Sequence, residues 1–148
     1  MFTQIAVGSF MLVASIAFAA LTFWLLEHFL TQAGGWMTRR PHRPKLVMAL
    51  IVSSIAILGQ VTVSVWMWAG LLWWLDLFGS LELSVYFALT CFTTLGFGDV
   101  LLPVEWRLLG GLAATNGLVN IGVVTAVMVE TLRFIRMNQI QALRPKAS

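Results

Sequence analysis

The chain has 148 residues and a formal net charge of +3, with hydrophobic residues at 59% and charged residues at 10% of the total. Soluble domains carry roughly 25% charged residues, so this composition cannot cover a water-facing surface, and it predicts an integral membrane protein. The positive charge does not indicate nucleic-acid binding, because eight of the nine basic residues fall in two short clusters, at 39–45 and 133–146. Such clusters are typical of cytoplasmic segments beside anionic lipid.

Three apolar stretches are long enough to cross a bilayer, which takes about 20 residues. They run over residues 2–26, 46–75 and 108–129. A shorter apolar stretch, 84–94, lies between the second and third spans and predicts a re-entrant segment. The basic residues of 38–45 and of the tail after 129 place both segments in the cytoplasm, so the three spans place the amino terminus outside and the carboxyl terminus inside.

The stretch 86–99, with the sequence YFALTCFTTLGFGD, carries the chemistry. Glycine at alternate positions near its end permits positive φ, so that successive carbonyl oxygens can turn to the same side. An ordinary strand alternates them instead. Four such segments around one axis would stack rings of oxygens that replace the water shell of an ion. Because non-helical backbone at membrane depth must be enclosed by protein, we expect neighbouring chains to surround it.

The residues TTLGFGD (93–99) resemble the selectivity-filter signature of the potassium channel superfamily, Thr-Val-Gly-Tyr-Gly-Asp. The order of outer helix, pore helix, filter and inner helix also matches. The resemblance implies an all-α integral membrane fold, with three transmembrane helices plus a re-entrant pore helix and filter loop per chain, in a tetrameric ion-channel pore. The expected parts are an extra N-terminal transmembrane helix (1–30), a basic cytoplasmic link (31–45), the pore domain (46–136) and a short basic cytoplasmic tail (137–148).

The resemblance also implies roles for individual residues. The ion-binding filter would consist of Thr94, Leu95, Gly96, Phe97 and Gly98, the first four of which bind K⁺. The filter would be supported from behind by Tyr86, Phe87, Thr90 and Asp99. Three departures from the family pattern weaken this support: Phe97 lacks the hydroxyl of the usual tyrosine, Tyr86-Phe87 replaces a Trp-Trp pair, and Thr90 replaces a glutamate that some members use to hold the aspartate.

Five residues of the third span recur at spacings of 4, 3, 4 and 3 and therefore share one helix face: Asn116, Asn120, Val123, Val127 and Glu130. One hypothesis is that this face lines the ion cavity. The alternative is that the asparagines bond between helices and that Glu130 pairs with Arg133. Gly117 matches the position of the family's gating hinge, with close helix packing as its alternative role.

We therefore expect a homotetramer that conducts K⁺ passively through the TLGFGD filter in a bacterial inner (plasma) membrane. It would need no cofactor besides the potassium ions in the filter, would contact anionic lipid at its cytoplasmic face, and would bind no nucleic acid. The alternatives are a nonselective monovalent cation channel and, less favoured, a non-conducting membrane partner subunit. No residue pattern suggests catalysis, so an enzyme is not expected.

Overall fold

The computed structural model describes residues 1–32 and 42–143 of the chain. Its elements, in chain order, are α1 (Phe2–Gln32), α2 (His42–Trp74), α3 (Leu81–Phe92), a 3-10 helix (Val104–Trp106) and α4 (Arg107–Leu143). Helices α1, α2 and α4 are long and apolar enough to cross a membrane, whereas α3 has only 12 residues. The described residues form helices and no strand, so the predicted all-α membrane fold is confirmed.

The long helices extend beyond the apolar stretches that predicted them. Helix α1 has 31 residues and α4 has 37, although their apolar stretches end near residues 26 and 129. The helices continue because polar residues need not end a helix, and because residues 27–33 and 130–144 contain neither glycine nor proline. Pro44 lies in the first turn of α2, where a missing N–H is tolerated.

The direction of the three long helices follows from contacts along α1. The Gln4 side chain donates a hydrogen bond to the Glu105 carbonyl and accepts one from the Leu108 N–H, so the start of α1 lies beside the start of α4. At the other end, Leu30 of α1 shares a buried cluster with Ile135 of α4. Helix α1 therefore runs parallel to α4, and the amino terminus lies at the end of the bundle that carries α3.

Helix α3 is held between α2 and α4 by the larger of two buried clusters. Trp68 of α2, Phe92 of α3 and Leu109 of α4 belong to this cluster and are almost fully buried. Ser80 is the N-cap of α3 and accepts a hydrogen bond from the Leu83 N–H at 3.2 Å. A side-chain cap of this kind fixes the start of a helix, which explains why α3 begins before the apolar stretch at 84.

Parts of the two basic clusters lie outside the described residues. These are Arg39 and Arg40 of the link and Arg144 and Lys146 of the tail. The predicted contact of these residues with anionic lipid stays a prediction.

Candidate functional site

The chain leaves helical geometry directly after α3. Thr93 is the C-cap, and from Thr94 onward every second residue of the loop 93–99 has a positive φ: Thr94 at 58°, Gly96 at 51° and Gly98 at 77°. Positive φ is uncommon for a β-branched residue and costs about 1–3 kcal/mol, so Thr94 is held there by its surroundings. The period of two is the backbone pattern that carbonyl oxygens need to turn to one side.

The N–H groups at the start of this 93–99 loop are bonded, whereas its carbonyl groups are not. The Thr94 N–H donates to the Cys91 carbonyl at 2.9 Å, and the Leu95 N–H donates to the Thr90 carbonyl at 3.0 Å. Within the described chain, the carbonyl oxygens of 93–97 accept no hydrogen bond. These oxygens are available to a ligand, and a row of free carbonyls is suited to a dehydrated cation.

The 93–99 loop is uncovered in the single chain. All seven of its residues are exposed, and the side chains of Leu95 and Phe97 are 56% and 69% exposed. Lipid-exposed irregular backbone does not occur within the hydrocarbon region, because its polar groups would lack partners there. The single chain does not itself enclose this loop.

One side-chain hydrogen bond ties the end of the loop to α3. The Tyr86 hydroxyl donates to Oδ2 of Asp99 at 2.6 Å. This bond holds the pKa of Asp99 below its ordinary value and raises the pKa of Tyr86 above its own. The sequence named both residues as filter support and treated the loss of the Trp-Trp pair as a weakness; it missed that the tyrosine hydroxyl reaches the aspartate directly.

The two other predicted support residues act through the position of α3. The Thr90 side chain donates to the Phe87 carbonyl at 2.9 Å, within its own helix, so it does not hold Asp99. Phe87 is 8% exposed, and its ring lies 5.2 Å from that of Phe78. Phe87 thus helps to hold α3 in place, and the main-chain carbonyl of Thr90 accepts a hydrogen bond from the loop N–H of Leu95.

The two asparagines of α4 lie in a buried polar network that joins three helices. Asn116 Nδ2 donates to Ser64 Oγ at 3.0 Å, and Asn120 Nδ2 donates to Ser15 Oγ at 3.2 Å. Gln60 Nε2 donates to Asn120 Oδ1 at 2.6 Å. Ser15 and Ser64 are themselves hydrogen-bonded at 2.8 Å, so α1, α2 and α4 share one network.

The cavity-lining assignment of Asn116 and Asn120 is corrected by this network. The two residues are 0% and 1% exposed in the single chain, and assembly can only bury them further. They bond between helices, as the alternative expected, because amides in an apolar bundle need partners. The lining role of Val123, Val127 and Glu130 stays a prediction, and Glu130 makes no ion pair with a described residue.

A different face of α4 is left uncovered by the other helices. Its exposed residues recur at spacings of 4, 3, 4, 3 and 4: Gly111, Thr115, Leu118, Gly122, Thr125 and Val129. This face was not predicted from the sequence, because its small and hydroxyl side chains are less conspicuous than the asparagines. The two threonines, at the same period as the amides, are the signal that could have indicated it.

Gly117 provides a close contact between α4 and α3. A Cβ at this position would overlap the Phe92 carbonyl group and would lie 2.6 Å from the carbonyl carbon and from Cα of that residue. The backbone of α3 therefore rests on the surface that Gly117 leaves free, which agrees with the packing alternative. The hinge role stays a prediction.

Comparison with known protein families matches a large part of the chain. A family model described as an ion channel matches residues 46–134, from within α2 to within α4, and leaves α1 outside. No curated protein and no solved structure matches the chain.

Proposed function

Because the chain belongs to the ion channel family, with a two-helix pore domain of the potassium-channel type at residues 46–134, we propose that it conducts K⁺ passively as a homotetramer. The observation that carries this proposal is the 93–99 loop, which combines alternating positive φ with free carbonyl oxygens. Copies of this loop around one axis would present rings of oxygens that replace the hydration shell of K⁺.

Assembly of several chains follows from the single loop per chain. One loop contributes one carbonyl oxygen to each level of the filter, whereas a dehydrated cation needs several oxygens at once. Four chains would supply four oxygens per level and would enclose the 93–99 loop, which a single chain leaves exposed. Helix α4 would then turn its uncovered face, with Thr115 and Thr125, toward the ion pathway, while α1 covers the asparagine face.

The three long apolar helices indicate an integral membrane protein. The amino terminus and the 93–99 loop share one end of the bundle. We place that end outside the cell and the basic link and tail in the cytoplasm, because basic residues are retained there. A bacterial inner membrane is the expected setting, with anionic lipid beside the basic residues.

The test is a flux measurement on purified protein in liposomes with a K⁺ or a Na⁺ gradient. We expect K⁺ flux to exceed Na⁺ flux at least tenfold. Gly96→Ala should abolish it, because Gly96 has a φ of 51°, where an L side chain is strained. Gly59→Ala is the matched control, since a Cβ at Gly59 meets nothing within 4 Å in a helix.

Two outcomes would overturn the proposal in favour of its alternatives. Equal K⁺ and Na⁺ flux would indicate a nonselective cation channel, to which the missing hydroxyl at Phe97 could contribute. No flux from a folded, assembled wild-type protein would indicate a non-conducting membrane partner subunit.

A further inference from the structure

A groove lies between α1 and α4 in the half of the bundle far from the 93–99 loop. Its volume is about 330 Å³, within the range of small-molecule sites. Its walls are mainly apolar and include three aromatic side chains, Phe23 and Trp24 of α1 and Phe134 of α4. Two carboxylates, Glu27 from α1 and Glu130 from α4, line the same groove.

The two carboxylates have no cationic partner among the described residues. Neither Glu27 nor Glu130 forms an ion pair or a side-chain hydrogen bond in the part of the chain that the structure describes. Both side chains are exposed in the single chain, so a cation can reach them. Two carboxylates that line one groove attract positive charge.

The aromatic and apolar lining of the groove determines which kind of cation fits it. Aromatic faces attract ammonium groups and also accept an apolar body, so the groove suits a cation with a hydrophobic part. Mg²⁺ is less suitable because it prefers six oxygen ligands, whereas this groove offers two carboxylates. No group of three or more metal-ligating side chains occurs in the described ranges, 1–32 and 42–143.

From this charge complementarity we propose that the groove binds amphipathic organic ammonium compounds. The ammonium group lies at Glu27 and Glu130, and the apolar body packs against Phe23, Trp24 and Phe134. Glu27 and both α1 aromatics lie outside the matched pore domain, so the site does not depend on conduction through the 93–99 loop.

The first test measures probe binding to the full chain in nanodiscs of zwitterionic lipid. The probes are 4-phenylbutylamine and its neutral counterpart 4-phenylbutanol, with empty nanodiscs as the background. We expect saturable binding of the amine, about one per chain, with at least tenfold higher affinity than the alcohol. Amine binding no greater than in empty nanodiscs, or equal affinity for the two probes, would overturn the proposal.

Two double variants test whether the carboxylates of the groove bind the ammonium group. The double change Glu27→Gln and Glu130→Gln should lower amine affinity at least tenfold and leave the alcohol unaffected. The double change Glu82→Gln and Glu105→Gln removes the same charge at the other end of the molecule and should leave amine affinity unchanged. If the double variant Glu27→Gln and Glu130→Gln bound the amine with wild-type affinity, the proposal would be wrong.

A third variant keeps both carboxylates and reduces the volume of the groove instead. Ala20 lines the groove, so Ala20→Trp should weaken binding of the amine and of the alcohol alike. Circular dichroism and assembly size confirm that each variant is folded. Gly96→Ala should retain amine binding, so that a failure of conduction and a failure of binding are distinguishable.

Discussion

At the scale of single residues, the Tyr86–Asp99 bond depends on the protonation of both partners. The phenol must keep its proton to donate, and the 2.6 Å bond is strongest when the carboxyl group is ionised. The pKa of Asp99 is lowered, so its contribution is present above the ordinary carboxyl pKa and is lost as pH falls through the lowered value. The pKa of Tyr86 is raised, so its contribution is lost only as pH rises through the raised value.

Replacing Tyr86 by phenylalanine should therefore move the titration of Asp99. Without the hydroxyl, the largest cause of the lowered pKa is gone, and the carboxyl should titrate at higher pH than in wild type. Carboxyl ¹³C NMR of the purified protein measures this directly, with the Asp76 signal as internal control. An Asp99 midpoint that is the same in both proteins would show that the bond does not form in solution.

Gly117→Ala should disrupt the close packing of α3 against α4. The added methyl group would overlap the Phe92 carbonyl group, which belongs to the main chain and cannot rotate away. Overpacking of this kind costs about 1–3 kcal/mol and sometimes more, so we expect a loss of stability of at least about 2 kcal/mol. Unfolding in mixed detergent micelles measures the difference.

Gly111→Ala and Gly122→Ala are the matched controls for this change. A Cβ at either position meets nothing within 4 Å, so both variants should be as stable as wild type or more stable, since alanine favours helix. A Gly117→Ala protein of normal stability but altered opening would instead support the hinge hypothesis.

At the scale of elements, α1 is part of the bundle core through polar contacts. Ser15 in its middle joins the network of Ser64 and Asn120, and Gln4 near its start bonds to the beginning of α4. Apolar side chains gain little from association within lipid, so hydrogen bonds and close packing fix how such helices pair. These contacts explain why the asparagine face of α4 is covered by a helix outside the pore domain.

Asn120→Ala should loosen this bundle without changing conduction. It removes two bonds to other helices, and each such bond in a membrane contributes about 0.6 kcal/mol on average, up to roughly 1.7. It also leaves the Gln60 amide without a partner, since Gln60 Oε1 already has none. We expect a loss of about 1–3 kcal/mol in detergent unfolding, with unitary conductance and blocker access unchanged.

Thr125→Ala is the stability control for this change. Its hydroxyl bonds to the Ile121 carbonyl within α4 and is exposed, so its loss should leave the unfolding midpoint unchanged. Altered conductance in Asn120→Ala at normal stability would restore the cavity-lining hypothesis for this residue.

The sequence predicted the helices well because apolarity and length report directly on membrane crossing. Glycine at 96 and 98 likewise predicted the positive φ of the loop, since the residue type itself permits it. The positive φ of Thr94 could not be predicted from the residue type, because a β-branched residue rarely adopts it. The sequence left the role of the asparagine face open between two alternatives, because a helical period shows which residues share a face and the partner of that face depends on how α1 docks.

At the scale of the whole molecule, the loop of the proposed ion site is uncovered in the single chain. The 93–99 loop is exposed on all seven residues, while α3 beside it is firmly packed against α2 and α4. This exposed loop is the surface that the proposed assembly of several copies would cover. An ion bound between the copies would then contact several chains at once.

The assembled protein should therefore be more stable in K⁺ than in Na⁺ at equal ionic strength. An ion that binds only the assembled state stabilises it by RT ln(1 + [ion]/Kd), about 2.7 kcal/mol at a hundredfold excess over Kd. Native mass spectrometry should give four chains, and the thermal midpoint of that assembly should rise with K⁺. Gly96→Ala should remove the difference between the ions, because the loop carbonyls would no longer align. Identical midpoints for wild type in K⁺ and Na⁺ would mean that the loop does not bind the ion between chains, whatever the number of chains in the assembly.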